Sequence, residues 1–209
     1  MESGIRYTVD VENGQKTGFF LDQKFNRLAA AQIARGRHVL DCFTHTGAFA
    51  LNAAKGGAAS VTALDISEEA VEMAAHNGEI NGLPIHAVKA DVFEYLTNLD
   101  KTKNHDYDYI ILDPPAFTKS GKTVHEAFRG YKEINYRAMK ILPRGGYLAT
   151  CSCSHFMGEE LFVKMVKEAA RDAGVTLRQI EFRQQAPDHP ILMTVPETYY
   201  LKFFLFQIV

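Results

Sequence analysis

Two of the chain's three cysteines, Cys151 and Cys153, stand two residues apart in "ATCSCSHF", just after the glycine pair Gly145 and Gly146. A thiolate is a strong nucleophile, and residues two apart on an extended strand share a face. One chemistry that requires such a thiolate is carbon methylation of a pyrimidine. Cytosine C5 is a poor nucleophile until a thiolate adds at C6 and turns the ring into an enamine. Packing is the commoner role of a cysteine, and it is the role expected of Cys42 inside the apolar run "RHVLDCF". Cys151, Cys153 and His155 also spell C-x-C-x-H, but no second cysteine or histidine cluster at ligand spacing accompanies them, so no metal is expected. A second chemical stretch, "YIILDPPAF", runs an apolar strand into Asp113, Pro114 and Pro115. Two prolines make a rigid corner that fixes a carboxylate and its neighbouring carbonyls, a suitable grip for a planar base.

Three further aspartates end or follow strand-like runs: Asp41, Asp65 and Asp91. Each alone reads as easily as a helix cap; three in succession point to a bound nucleoside. The turn "DCFTHTGAFA" offers only Gly47, whereas a dinucleotide's pyrophosphate needs a glycine-rich cradle of backbone amides. NAD is therefore disfavoured and S-adenosylmethionine fits better. Asp65 is assigned to the ribose hydroxyls, as the acidic residue ending the second strand is in dinucleotide folds. Asp91, with the Val92 amide, is assigned to the adenine, and Asp41 and Gly47 to the methionine end. Phe43, Thr44, Ile66 and Asp113 complete the cofactor set.

These residues need a scaffold that gathers strand ends. After "IRYTVDV" and "KTGFFL", which flank the turn "ENGQ" and read as a hairpin, the pattern alternates strand and helix. The strands are "RHVLDCF", "SVTALDI", "IHAVKA", "DYDYIIL", "GYLATCSC", "VTLRQIEF" and "YYLKFFLFQIV". Such alternation predicts a doubly wound α/β fold built on a parallel sheet, with the ligand edge at the carboxyl ends of its strands. The organisation expected is an amino-terminal hairpin extension over residues 1–22 and one catalytic domain over 23–209. The stretch "FFLDQKFNR" is placed between the hairpin and the first helix, with Gln23, Lys24, Asn26 and Arg27 near the cofactor's entrance or else on a solvated helix start. Net charge is −2, so nucleic acid contact must come from local clusters. Lys119, Lys122, Arg129 and Lys132, with Phe117 and Phe128, form one such cluster, although ordinary helix-surface charge explains it equally well. No apolar run is long enough to span a bilayer and no secretion signal opens the chain, so a cytoplasmic protein is expected.

Taken together, "KTGFFLDQKFNR", "DCFTHTGAFA", "ALDIS", "DPPAF", "RGYKEIN", "SCSHF" and "DHPILMTVPETYYLK" resemble the class I methyltransferases that form 5-methylcytosine in bacterial large-subunit ribosomal RNA. The likeness covers nearly the whole chain and corresponds to that family's carboxyl-terminal catalytic domain, without the RNA-binding PUA domain that usually precedes it. It implies a Rossmann-like α/β fold with a seven-stranded, mostly parallel sheet whose last strand is antiparallel, S-adenosylmethionine as cofactor, ribosomal RNA as partner, Cys153 as nucleophile, and Asp113, Pro114, Pro115, Phe117, Lys119 and His189 around the substrate. The wider cytosine-C5 pattern G-G-x-L-x-Y-x-T-C-S also puts its cysteine at 153. Two departures stand out: "DPPAF" lacks the second cysteine that many such enzymes carry at this corner, and Thr150 replaces the pattern's tyrosine. The base that removes the C5 proton is left unassigned. The competing functions are methylation of a nitrogen, where a D-P-P corner works without cysteine, and a non-catalytic RNA-binding assembly factor.

Overall fold

Short apolar runs that are buried on both faces can only be central strands of a covered sheet, and the amphipathic stretches between them supply the covering helices. The computed structural model describes residues 1–10, 12, 18–118 and 120–209. Among these, five strands run parallel: β1 (His38–Cys42), β2 (Ser60–Asp65), β3 (His86–Lys89), β4 (Tyr109–Leu112) and β5 (Tyr147–Ser152). Two more complete the sheet, β6 (Leu177–Arg183) and β7 (Lys202–Ile208), and β7 pairs antiparallel with both β5 and β6. The spatial order is β3-β2-β1-β4-β5-β7-β6, as the Rossmann-like expectation required.

The helices are α1 (Lys24–Ile33), α2 (Ala48–Lys55), α3 (Glu68–Glu79), α4 (Val92–Thr102), α5 (Val124–Ile141) and α6 (Glu159–Ala173). They cover the sheet with two apolar layers. Leu96, Tyr131, Ile134, Phe162 and Met165 from α4, α5 and α6 pack on one face, and Ala29, Ala30, Phe49 and Ala53 from α1 and α2 on the other. The chain leaves β1 in one direction toward β2 and β3, then crosses back to β4 and β5. The point of reversal lies between β1 and β4, where a doubly wound sheet opens its ligand crevice.

The described arm of the expected hairpin, residues 5–10, carries no strand, and residues 13–17 lie outside the described residues. Asn77 of α3 and Asn81 of the turn that follows it take up the arm's backbone groups instead. Thr8 N donates to Asn77 Oδ1 (2.7 Å) and Arg6 N to Asn81 Oδ1 (2.8 Å), while the amides of Asn81 and Asn77 donate back to Arg6 O (2.7 Å) and Thr8 O (3.3 Å). The Asn81 amide also donates to Asn77 O (2.7 Å), so the carboxyl end of α3 and its turn stand beside the extended arm in place of a second strand. The stretch "FFLDQKFNR" also differs from expectation. It forms a short 3-10 turn, Leu21–Gln23, and the first turn of α1, with Gln23, Asn26 and Arg27 buried. The Arg27 guanidinium pairs with Glu2 at 2.7 Å, so it anchors the arm and does not face a ligand.

Candidate active site

The parallel strands deliver Asp41, Asp65, Asp91, Asp113 and Cys153 to the same carboxyl edge, because each ends or closely follows a strand in one parallel set. The turn after β1 is tightly wound. Phe43, His45 and Gly47 all have left-handed backbones (φ 65°, 50° and 79°). Only Gly47 must be glycine there, since a Cβ at that position would lie 3.1 to 3.2 Å from Ala74 of α3 in addition to its left-handed φ. Asp41 anchors this turn. Its Oδ2 accepts from Thr44 Oγ1 (2.7 Å) and from Ala50 N (3.0 Å), whereas its Oδ1 is buried with no protein partner. Burial pushes the Asp41 carboxyl up to about 7, with the Asp113 charge adding to the effect. A buried acceptor oxygen without a donor is costly, and an ammonium group of a ligand would satisfy it.

Asp65 accepts His45 N on Oδ2 (2.9 Å) and Ser67 N on Oδ1 (3.0 Å). Two backbone bonds aim a half-exposed carboxylate and leave each oxygen a second lone pair for a ribose diol. The cap of α3 is Ser67, whose hydroxyl accepts from Ala70 N, so Asp65 is not the cap. Beside it Ile66 is 67% exposed, an apolar surface suited to the face of an adenine. Asp91 is the cap of α4, accepting Glu94 N at 3.0 Å, and thereby sits beside the first-turn amide of Val92. The residues at this edge thus fit S-adenosylmethionine: an orphaned acid for its amino end, a two-oxygen acceptor for its ribose, and an apolar and polar rim for its base.

The opposite half of the edge is assembled from pieces distant in sequence. Asp113 Oδ1 accepts from Gln23 Nε2 (2.9 Å), and Gln23 is held by Asn26 (2.7 Å). Burial and the neighbouring Asp22 push the Asp113 carboxyl up to about 6. Asp22 Oδ2 accepts from the Tyr200 hydroxyl (2.8 Å), while Asp22 Oδ1 is buried without a protein partner. Cys151 lies on β5 and is fully buried. Burial, followed by the Asp113 charge, holds its thiol well above the ordinary range, and Gln23 and Asp113 both reach it. Cys42 is likewise buried and raised. Cys153 stands one residue beyond the end of β5, half-buried, with Tyr131, Tyr200 and Lys202 in its electrostatic neighbourhood.

Pro114 is buried and Pro115 exposed at the corner after β4. Phe117 turns inward to pack on Tyr131 (4.6 Å between ring centroids), Phe93 (6.0 Å) and Phe43 (6.4 Å), joining the cofactor turn to α5. Lys119 lies outside the described residues. Lys132 is occupied by Asp172 (2.7 Å) and Glu168 (3.5 Å) of α6, so helix-surface pairing accounts for it, while Lys122 and Arg129 are exposed. His189 sits on a loop tied to the start of α1 by Lys24 to Asp188 (2.6 Å) and Ala186 N to Asp22 O (2.8 Å), which brings it alongside this half of the edge. Residue spacing did not single out Asp22, Tyr200 or Lys202. One signal was available for Lys202: a lysine inside "YYLKFFLFQIV" interrupts an otherwise apolar strand.

The fold and site define a nucleoside-cofactor methyltransferase, and residues 1–207 match the family model of the S-adenosylmethionine-dependent methyltransferases; the chain belongs to that family. It is 48% identical over 204 residues to the ribosomal RNA large subunit methyltransferase I of Shewanella amazonensis, and 45% identical over 204 residues to that of Aeromonas salmonicida. Each match covers 96% of this chain and 51% of the relative, so the chain spans about half the length of the curated relatives it matches. A candidate methyltransferase solved with S-adenosylhomocysteine bound superposes with a TM-score of 0.87 at 27% identity, covering 99% of this chain and 55% of that one. No helix among the described residues is long and apolar enough to cross a membrane.

Proposed function

We propose that this chain is the catalytic unit of a ribosomal RNA methyltransferase that places a methyl group on C5 of a cytosine in large-subunit RNA, with Cys153 as the nucleophile. One observation carries this function: a half-buried cysteine just past the end of β5, across from the Asp113-Pro114-Pro115 corner of β4, on the edge that holds the three cofactor aspartates. The names of the 45% and 48% identical relatives support the RNA substrate. When bound, S-adenosylmethionine supplies an electrophilic methyl group.

Asp41 and Gly47 hold the cofactor's amino-acid end, Asp65 its ribose, and Asp91, Val92 and Ile66 its base, with Phe43 and Thr44 shaping the turn. Asp113 grips the polar edge of a cytosine turned out of its helix, as chemistry on a base requires. The Cys153 thiolate forms a bond to C6, and the ring's electron pair moves to C5. Loss of the C5 proton after methylation restores the double bond and expels the thiolate. Cys151, buried and hard to ionise, serves as a wall beside Asp113.

Bisulfite sequencing of large-subunit RNA from a strain lacking the gene tests the substrate. A single protected cytosine should become convertible on deletion and protected again on complementation. An unchanged bisulfite pattern, with methylated guanine or adenine lost instead, would replace this function by nitrogen methylation.

A further inference from the structure

Lys202 is 1% exposed, an unusual state for a lysine, and among the described residues it makes no salt bridge with a carboxylate. Its backbone lies opposite Ser152 in the β5–β7 ladder, and its Nζ donates to Ser154 O (2.5 Å) and to Tyr200 O (2.8 Å). The side chain therefore runs from the position of residue 152 to that of residue 154, alongside Cys153. Two carbonyls take two N–H groups. The amine's remaining valence is an N–H when the lysine is charged and a lone pair when it is neutral.

We propose that Lys202 takes the proton that Cys153 gives up, so that the two form an ammonium–thiolate pair beside the end of β5. In that step the S–H bond breaks, its electron pair stays on sulfur, and the proton forms an N–H bond with the Nζ lone pair. Expulsion of the thiolate from C6 restores the pair, and back transfer regenerates thiol and amine. Burial lowers the lysine to about 8, which keeps a neutral fraction available, while Cys153 and then Glu159 pull in the other direction. A lysine buried among carbonyls alone gains little for stability, whereas one that alternates with a thiol is matched to a thiolate that must form and be released. The charged and titratable groups around the pair are Glu159 from α6, Tyr131 from α5, Tyr200, Cys151 on β5, and Asp113 at the end of β4. The inference rests on Cys153 being the nucleophile of the proposed reaction, yet the pairing itself is read without RNA.

The test is the rate of Cys153 alkylation by iodoacetamide as a function of pH, read by peptide mapping so that Cys42 and Cys151 are scored separately. In the unmodified chain the Cys153 midpoint should lie below the ordinary thiol value of about 8.5. In Lys202→Gln it should rise by about one pH unit, with roughly tenfold slower alkylation at pH 7, and Lys202→Arg should restore the charge and much of the rate. Circular dichroism and a thermal melt establish that the variants fold. A Cys153 midpoint at or above 8.5 in the unmodified chain overturns the pairing without recourse to any variant, as does an unshifted profile in folded Lys202→Gln. A shifted profile with no covalent RNA adduct supports the pair and instead removes Cys153 as nucleophile. Adduct formation with an unshifted profile overturns the pair alone.

Discussion

Asp41 and Asp65 show how two carboxylates at neighbouring strand ends acquire different tasks. Asp65 uses both oxygens on backbone amides and still faces outward, so on the proposed assignment its removal costs the ribose hydrogen bonds along with the turn's alignment. Asp65→Ala should weaken S-adenosylhomocysteine binding by about 1.5 to 3 kcal/mol, the scale for hydrogen bonds to a charged acceptor. Calorimetry should resolve this, and an unchanged affinity would leave Asp65 a role in the backbone only. Asp41, by contrast, is raised from 3.8 to about 7 by burial. Its folded state binds the proton more tightly than the unfolded chain does, so its contribution is complete below 3.8 and is lost as pH climbs through 7. Urea midpoints of the ligand-free chain should therefore fall between pH 4 and 7, and Asp41→Asn should flatten that fall; Asp113, raised to about 6, leaves a residual slope. An equally steep fall in Asp41→Asn would contradict the assignment. The aspartates were legible in sequence because each follows an apolar run of strand length. Asp22, Tyr200 and Lys202 were not, because they approach one another only through the loop that returns from β6 to β7 over the start of α1.

At the scale of elements, the alternation of periods makes the parallel strands and the ligand edge readable, and β7 enters the sheet antiparallel as the resemblance to class I methyltransferases implied. The arm 5–10 escapes sequence reading for a definite reason. Alternating residues beside an "ENGQ" turn satisfy hairpin rules, but Asn77 near the end of α3 and Asn81 in the turn after it take up the backbone groups of Thr8 and Arg6. Nothing in a strand pattern reports side-chain amides from a distant helix end. Asn77 also donates to Thr46 O (3.0 Å), so it fastens the cofactor turn to the arm. Asn77→Ala should cost roughly 2 to 3 kcal/mol, since it leaves buried partners unsatisfied. Asn81→Ala, at a half-buried site in the turn after α3, should cost less, about 1 kcal/mol. Equal effects of the two substitutions in urea unfolding would deny Asn77 its double role.

On the scale of the whole molecule, five parallel strands bring the proposed cofactor residues, from β1 to β3, and the proposed reaction residues, from β4 and β5, to one edge. The two halves meet where the chain reverses direction. With a net charge of −2, the proposed RNA substrate has to be held through local cations such as the exposed Lys122 and Arg129. Binding of unpaired RNA to this chain should therefore be weak and salt-dependent, log K falling by roughly 0.7 per contacted phosphate for each decade of salt. A salt-insensitive affinity in filter binding would show that contacts to bases dominate. The proposed reaction turns on one bond, between Cys153 and C6 of a cytosine. Incubation with S-adenosylmethionine and a target RNA carrying 5-fluorocytosine blocks loss of the C5 proton and should trap that bond as a denaturant-stable complex, absent in Cys153→Ala and present in Cys151→Ala. Peptide mapping that places the adduct on Cys151, or turnover on ordinary RNA with no adduct on the fluorinated one, would contradict it.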